Sequence, residues 1–284
     1  MSIPEGLIYR LLATPTQVEG NHQNAVWRGL VGPVRGNETG VPMFIKHLLT
    51  QQALATELAC GIAAQTFGLP VPDPALVICD VSDLSGMGGR PVGAELICFG
   101  SRMQFEDPVF GRQRGHDASA EEFVWARICG TPTGATGAAW DELVANRDRH
   151  TENVVYDGVK WWLLDHELAL EPLAQVMARF ADAVVHQEII DYRAPENRLA
   201  NQMLTRRPAD HGLRSQPRRF AAGVKRLAVT MEQMRNWSTG DSRIDPILQL
   251  AEIIVRSIHA RLPALALHLD ARIGARDAKS LWNS

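Results

Sequence analysis

The stretch Asn146-Arg147-Asp148-Arg149-His150-Thr151-Glu152-Asn153, with Asp165 twelve residues further on, gathers side chains suited to proton transfer and metal binding. Between Asn153 and Asp165, Val154–Tyr156 and Val159–Leu164 are strand-forming, and Asp157-Gly158 is a strong two-residue hairpin turn. Such a hairpin carries the chain out after Asn153 and returns it to Asp165, so both residues finish near one end of one ribbon. Two hard oxygen ligands so placed suit Mg²⁺, which takes a few carboxylate or amide oxygens together with substrate phosphates. Asp148, in the loop before the ribbon, is a third carboxylate, able to accept the proton of an attacking hydroxyl. Each residue alone is an ordinary loop polar group; the spacing and the intervening hairpin make the set chemical.

The elements before this loop are read as strands around one helix. Gln17 to Val31 and Val41 to Leu48 carry short apolar and β-branched runs, split by glycines and joined through the turn Val34 to Gly40. From Thr50 to Phe67 the period changes: Leu54, Leu58, Ile62 and Phe67 mark a helix of about four turns, capped by Thr50 and stopped by Gly68 and Pro70. Val71 to Cys79 and Val92 to Phe99 read as two further strands around the Gly-rich turn Ser85 to Gly89. Ser101 to Ala118 reads as a polar connection or lid. Helices are expected from Ser119 to Arg127, Gly137 to Asn146, Leu173 to Asp191, Pro217 to Met234 and Pro246 to His268. The sum is an α+β protein of two lobes, 1–100 and 101–284, with no internal repeat.

Asp148, Asn153 five residues on, and Asp165 after a hairpin resemble the catalytic and metal loops of the protein-kinase-like superfamily. The wording Asp-Arg-His-x-x-Asn, with Leu-Leu-Asp-His in place of Asp-Phe-Gly, is closest to HipA-like kinases and phosphatidylinositol 3- and 4-kinases. Lys46, in Met43-Phe44-Ile45-Lys46-His47, stands on the third predicted strand, where the superfamily places its nucleotide lysine. Glu57, eleven residues later, occupies the place of the glutamate that holds that lysine. Phe67-Gly68-Leu69-Pro70-Val71-Pro72, closing the helix, also resembles HipA-like proteins, and no phosphoinositide-kinase accessory region is present.

The resemblance implies a bilobal protein-kinase-like fold, with a β-rich N-lobe holding one helix and a mainly helical C-lobe. It implies ATP and Mg²⁺ as cofactors, with Mn²⁺ as a substitute. Lys46 and Glu57 would serve the α- and β-phosphates, Asn153 and Asp165 the metal, and Asp148 the acceptor hydroxyl. The strand ending near Ile97 to Phe99 would present its backbone to adenine. The expected acceptor is a protein serine or threonine. A small-molecule or lipid kinase with the same site, and a nucleotide-binding pseudokinase, are the alternatives. A metal-dependent nuclease using Asp148 and Asp165 would leave Lys46 and Glu57 unexplained. Two departures stand out: Glu19 to Asn24, where a phosphate-covering loop belongs, holds a single glycine, and His166 replaces the usual Phe. His150 and Arg149 are read as loop braces, and Gly86, Gly88 and Gly89 as a hairpin turn rather than a phosphate cradle.

Composition narrows the remaining classes. The 284 residues carry 29 Lys and Arg against 32 Asp and Glu, a formal charge of −3, so a nucleic-acid partner is not expected. The five arginines between Arg206 and Arg219 are the one basic run, read as a solvated loop. Four cysteines, Cys60, Cys79, Cys98 and Cys129, lie in apolar company without a Cys-x-x-Cys pair, as buried free thiols do in a reducing compartment. No basic, then apolar, leader and no membrane span is read from the sequence, and a cytoplasmic protein is expected.

Overall fold

The structure is a computed structural model and describes residues 3–19, 24–35, 39–86, 93–114, 119–173, 186–209 and 211–282. Six strands form the N-terminal sheet: β1 (Ile8–Leu11), β2 (Thr16–Gln17), β3 (Val26–Pro33), β4 (Val41–Lys46), β5 (Pro74–Asp80) and β6 (Glu95–Arg102). Their order is β1-β5-β6-β4-β3-β2, and β1 also pairs with β3, which closes the sheet on itself. The interior of this closed sheet is a small core of its own, including Trp27, Val31, Met43, Ile45, Val77 and Cys98. All four cysteines are free and buried.

Between β4 and β5 lies α1 (Gln51–Thr66). The Thr50 hydroxyl accepts the Ala53 N–H at 3.1 Å, satisfying one of the helix's orphan donors. At the other end Gly68 takes a left-handed φ of 73°, and the N–H groups of Gly68 and Leu69 return to Gln65 and Ala64 at 2.8 and 3.0 Å. That is a Schellman stop, which a Cβ at Gly68 would strain. Most of α1 is buried, because it is sandwiched between the sheet and a C-terminal helix. Its alanines follow from that, and so does Gly61, where a Cβ would stand 2.7 Å from the Pro74 ring.

The remainder is helical: α2 (Pro108–Arg114), α3 (Ser119–Ile128), α4 (Pro132–Leu143), α5 (Gln187–Asp191), α6 (Arg198–Arg206), α7 (Gln216–Ala221), α8 (Val224–Met234), α9 (Asp245–Arg261) and α10 (Leu265–Trp282). A two-stranded ribbon, β7 (Val154–Tyr156) and β8 (Trp161–Leu163), interrupts it after α4. α9 is the helix that packs along α1, and one apolar core runs from Leu58 and Ala59 of α1 to Ile254 and Ile258 of α9. The β-rich N-terminal part is thus locked to the helical part through its single long helix. No helix among the described residues is long and apolar enough to cross a membrane.

Several sequence boundaries shift. The four-residue β1 is too short to show a period and was not expected, so Lys46 lies on the fourth strand rather than the third. β5 and β6 begin later than predicted, at Pro74 and Glu95, and β6 runs on to Arg102. α4 starts at Pro132, because Thr131 caps it by accepting the Gly134 N–H at 3.3 Å, and it ends at Leu143 rather than Asn146. The expected helix from Pro217 to Met234 breaks at Ala222-Gly223, and that from Pro246 to His268 breaks into a tight turn at Leu262–Ala264, around Pro263. Ser101 to Ala118 is not wholly a connection, since α2 forms within it. The Arg206–Arg219 run holds α7. Most of the helix expected from Leu173 to Asp191, part of the turn at Val34 to Gly40, and the glycines Gly88 and Gly89 lie outside the described residues.

Candidate active site

The loop carrying Asp148 is launched by a second Schellman turn. After α4, Ala145 adopts a left-handed φ of 50°, and Asn146 N–H and Ala145 N–H return to Asp141 and Glu142 at 2.8 and 3.3 Å. Asn146 then works with both ends of its amide. Its Nδ2 donates to Asp141 Oδ1 at 3.3 Å, while its Oδ1 accepts the Asp148 N–H at 3.0 Å. Asn153 closes the loop, donating from Nδ2 to the Asp148 carbonyl at 2.9 Å. That bond fixes the amide orientation, so Asn153 Oδ1 is the atom left to act as a ligand.

The ribbon β7–β8 follows, with Tyr156 paired to Trp161 and Asp157 N–H bonded to the Lys160 carbonyl at 3.2 Å. The central turn residues are Gly158, with φ of 94°, and Val159, one residue later than the sequence suggests. Trp161 is buried, and Trp162 lies half-buried beneath the Lys160 ammonium, 3.8 Å from the ring centre. The returning strand delivers Asp165 in the left-handed region, φ 57°, an uncommon conformation that Asp and Asn tolerate best among side-chain-bearing residues.

Arg149 holds these pieces together. Its guanidinium is fully buried and bonds Asp141 at 2.9 and 3.1 Å, a bidentate fork. The same group donates to the carbonyls of Asn153, at 3.2 Å, and Leu164, and lies 3.1 Å from His166 Nε2. Burial and the Arg149 charge hold His166 well below the ordinary histidine pKa. His166 is therefore neutral, with Nε2 accepting from Arg149 and the proton on Nδ1. His150, by contrast, is a partly exposed neighbour of Asp148, its Nε2 3.9 Å from the carboxylate.

Lys46 reaches this loop from β4. Its Nζ lies 2.7 Å from Asp165, 2.8 Å from Glu167 and 3.5 Å from Glu57, which is 2% exposed. The other Glu57 oxygen accepts the His166 N–H at 2.9 Å. Burial pushes the Glu57 pKa up to about 8, helped by the Asp165 charge and opposed by Lys46. For Asp165, burial works the other way from the outcome: Lys46 outweighs it and holds the carboxyl down at about 2. For Lys46, burial is overcome by the three carboxylates, and its pKa lies above the ordinary lysine value.

Lys46, Glu57, Asn153 and Asp165 line a cavity of about 200 Å³. Its lining also includes the apolar side chains Val18, Val26, Phe44, Val71, Phe99 and Leu163. A second depression of about 350 Å³ adjoins it and is lined by Asp148, His150, Glu152 and Glu167, sharing Lys46, Asn153 and Asp165 with the first. The structure thus brings Lys46, Glu57, Asp148, Asn153, Asp165 and Phe99 around two connected spaces. Ile97 it places elsewhere: two residues from Phe99 on β6, it packs against the apolar core and does not line the cavity. Because β6 runs on to Arg102, the lining continues instead through Ser101, Arg102 and Gln104. Most of the expected phosphate-covering turn, 20–23, lies outside the described residues.

No protein-family model matches the chain, and no curated protein matches it by sequence. A solved structure does. The crystal structure of a Helicobacter pylori proinflammatory kinase, CtkA, aligns with a TM-score of 0.52 at 10% identity, over 91% of this chain and 97% of that one. The fold is kinase-like. Within this fold α1 carries Glu57 to 3.5 Å from Lys46 on β4, and the β7–β8 ribbon joins the loops holding Asp148 and Asp165.

The sequence alone did not single out Asp141 or Glu167, and named Asn24 only as the end of the expected phosphate-covering turn. Asp141 had a faint signal, standing with Glu142 in an otherwise apolar helix. Both acids are fully buried, and each has its own arginine: Arg149 for Asp141 and Arg272, at 3.0 and 3.1 Å, for Glu142. The three carboxylates around Lys46 mean that Lys46→Ala breaks a cluster of partly buried ion pairs. It leaves Glu57 buried without its cation, so a lower melting temperature is expected. Loss of the ammonium raises the Glu57 pKa above its parent value of about 8, so the two proteins diverge where the parent ionises Glu57 beside Lys46 and the variant cannot. Thermal unfolding should show a gap from the parent that widens from pH 6 to pH 9; a constant gap would contradict this reading of Glu57.

Proposed function

We propose that this chain is an ATP- and Mg²⁺-dependent phosphotransferase resembling a compact HipA-like serine/threonine protein kinase. Residues 1–100 would supply the nucleotide lobe and 101–284 the catalytic lobe. One observation carries the reading. Lys46 and Asp165, 119 residues apart, meet in a cavity that Asn153 also lines and whose lining is otherwise largely apolar. An apolar slot ending in a cation and two oxygen ligands suits a base at one end and metal-bound phosphates at the other.

The donor set fits Mg²⁺. Asn153 Oδ1 and the Asp165 carboxylate are hard oxygens, and Mg²⁺ takes one or two such protein ligands along with phosphate and water. When bound, Mg²⁺ supplies neutralisation of charge on the phosphates. The chain's own residues do the rest. Lys46 binds phosphate oxygens as a point charge, and Glu57 fixes its rotamer. Asp148, in the adjoining depression and 39% exposed, orients the acceptor hydroxyl and takes its proton. Val18, Phe44 and Phe99 exclude water from the base end. A protein hydroxyl is the acceptor we favour, because the Asp148 depression is open to a side chain presented from outside.

The reading is tested by incubating the purified protein with γ-labelled ATP and cell lysate. Labelled protein bands are expected with Mg²⁺ or Mn²⁺, and excess chelator should reduce labelling to background. Full activity in chelator would remove Asn153 and Asp165 from the metal roles. Label confined to small molecules or lipid would change the acceptor class while leaving the site in place.

A further inference from the structure

Lys46 is surrounded by anions from its own chain. An ammonium has three N–H donors. Here three carboxylates face it, from Asp165 at 2.7 Å, Glu167 at 2.8 Å and Glu57 at 3.5 Å. Lys46 donates to Asp165 and is paired with Glu167 and Glu57, so a phosphate oxygen reaches Nζ by competing with one of these anions.

Two of the three are fixed. Glu57 is buried on α1, which is clamped between the sheet and α9, and its second oxygen is tied to the His166 N–H at 2.9 Å. Asp165 is set by its left-handed backbone and by the Arg149 bond to the Leu164 carbonyl just before it. Glu167 is different. It lines the second depression, beside Lys46 and Asp165, which both spaces share, and its side chain is 18% exposed. Its other side-chain bond among the described residues comes from Asn24 Nδ2 at 2.7 Å, just ahead of β3. That contact joins residues 143 apart and ties the N-terminal sheet to the loop after β8. A carboxylate and a phosphate present the same charge and the same acceptor oxygens to an ammonium.

We infer that Glu167 is a placeholder for the nucleotide's phosphate. Its carboxylate occupies the phosphate seat on Lys46, holds Asn24 to the loop after β8, and swings out toward solvent when a nucleotide enters. The inference rests on the nucleotide reading above and deepens it, because affinity then depends on exchanging one internal anion for an external one. It also gives the residue two past Asp165 a role in the site that the resemblance does not supply.

Isothermal titration with a non-hydrolysable ATP analogue plus Mg²⁺, and separately with adenosine, tests it on the parent, Glu167→Gln and Asn24→Ala. Glu167→Gln keeps the shape and removes the charge. The analogue is expected to bind on the order of tenfold more tightly, as one charge-assisted contact no longer has to be exchanged. Adenosine has no phosphate and should bind the parent and the variant equally. Asn24→Ala loosens the latch and should give a smaller gain of the same sign, an independent check should Glu167→Gln fold poorly. Analogue affinity equal to or weaker than the parent's would overturn the placeholder, and so would an equal gain for adenosine. If the parent and both variants all fail to bind the analogue, the nucleotide reading itself falls and takes the placeholder with it.

Discussion

Asp148→Asn is expected to bind nucleotide as the parent does and to turn over on the order of 10²-fold more slowly. Removing a positioned proton acceptor costs roughly 10²–10⁴ in rate, and phosphoryl transfer is loose enough that the lower part of that range applies. The structure explains why the damage should stay local. The backbone of Asp148 is held by Asn146 and Asn153, at 3.0 and 2.9 Å, and neither bond involves the carboxylate. Asp165→Asn should behave in the opposite way. It neutralises a carboxylate 2.7 Å from Lys46 that also borders both spaces, so MgATP affinity is expected to fall. Asn tolerates the left-handed backbone at this position as well as Asp does, which makes the change an electrostatic one. Steady-state kinetics should show the first variant losing mainly kcat and the second raising KM.

The largest effect on stability is expected at Arg149. Arg149→Met leaves Asp141 buried without a cation and strips a donor from the Asn153 and Leu164 carbonyls. Breaking a buried pair from one side costs about 3–5 kcal/mol, a fall of roughly 10 °C in melting temperature for a chain of this size. Arg149→Lys keeps the charge but lacks the planar fork, so it should recover only part of the loss. The double variant Asp141→Leu/Arg149→Met should be more stable than Arg149→Met alone, because the orphaned charge is gone. Denaturant unfolding measures all three, and a parent-like midpoint for Arg149→Met would show that the brace is not needed.

What the sequence revealed and what it concealed follow from the range of the interactions. The Asp148, Asn153 and Asp165 set was legible because a local hairpin fixes its geometry. α1 was legible because its cap at Thr50 and stop at Gly68 are local signals. β1 was not, since four residues cannot display a strand period, and the missed breaks at Gly223 and Pro263 lay inside runs whose apolar spacing looked continuous. Ile97 packs against the apolar core rather than lining the cavity, because β6 runs on to Arg102, an extent that nothing local signals. Arg149 could be read as a brace, yet its partner Asp141 could not be named. The contacts of Glu57 with His166 and of Asn24 with Glu167 span 109 and 143 residues, and only the assembled fold brings those pairs together.

The central claim is that Lys46, Asn153 and Asp165 hold a magnesium nucleotide while Asp148 serves the acceptor. Its most direct test is titration of the non-hydrolysable ATP analogue with Mg²⁺ into the parent, Asp165→Asn and Asp148→Asn. Saturable binding by the parent, lost or strongly weakened in Asp165→Asn and kept in Asp148→Asn, is the predicted result. Equal loss in both variants would make Asp148 another metal ligand and contradict the division of labour, and no saturable binding by the parent would contradict the account as a whole.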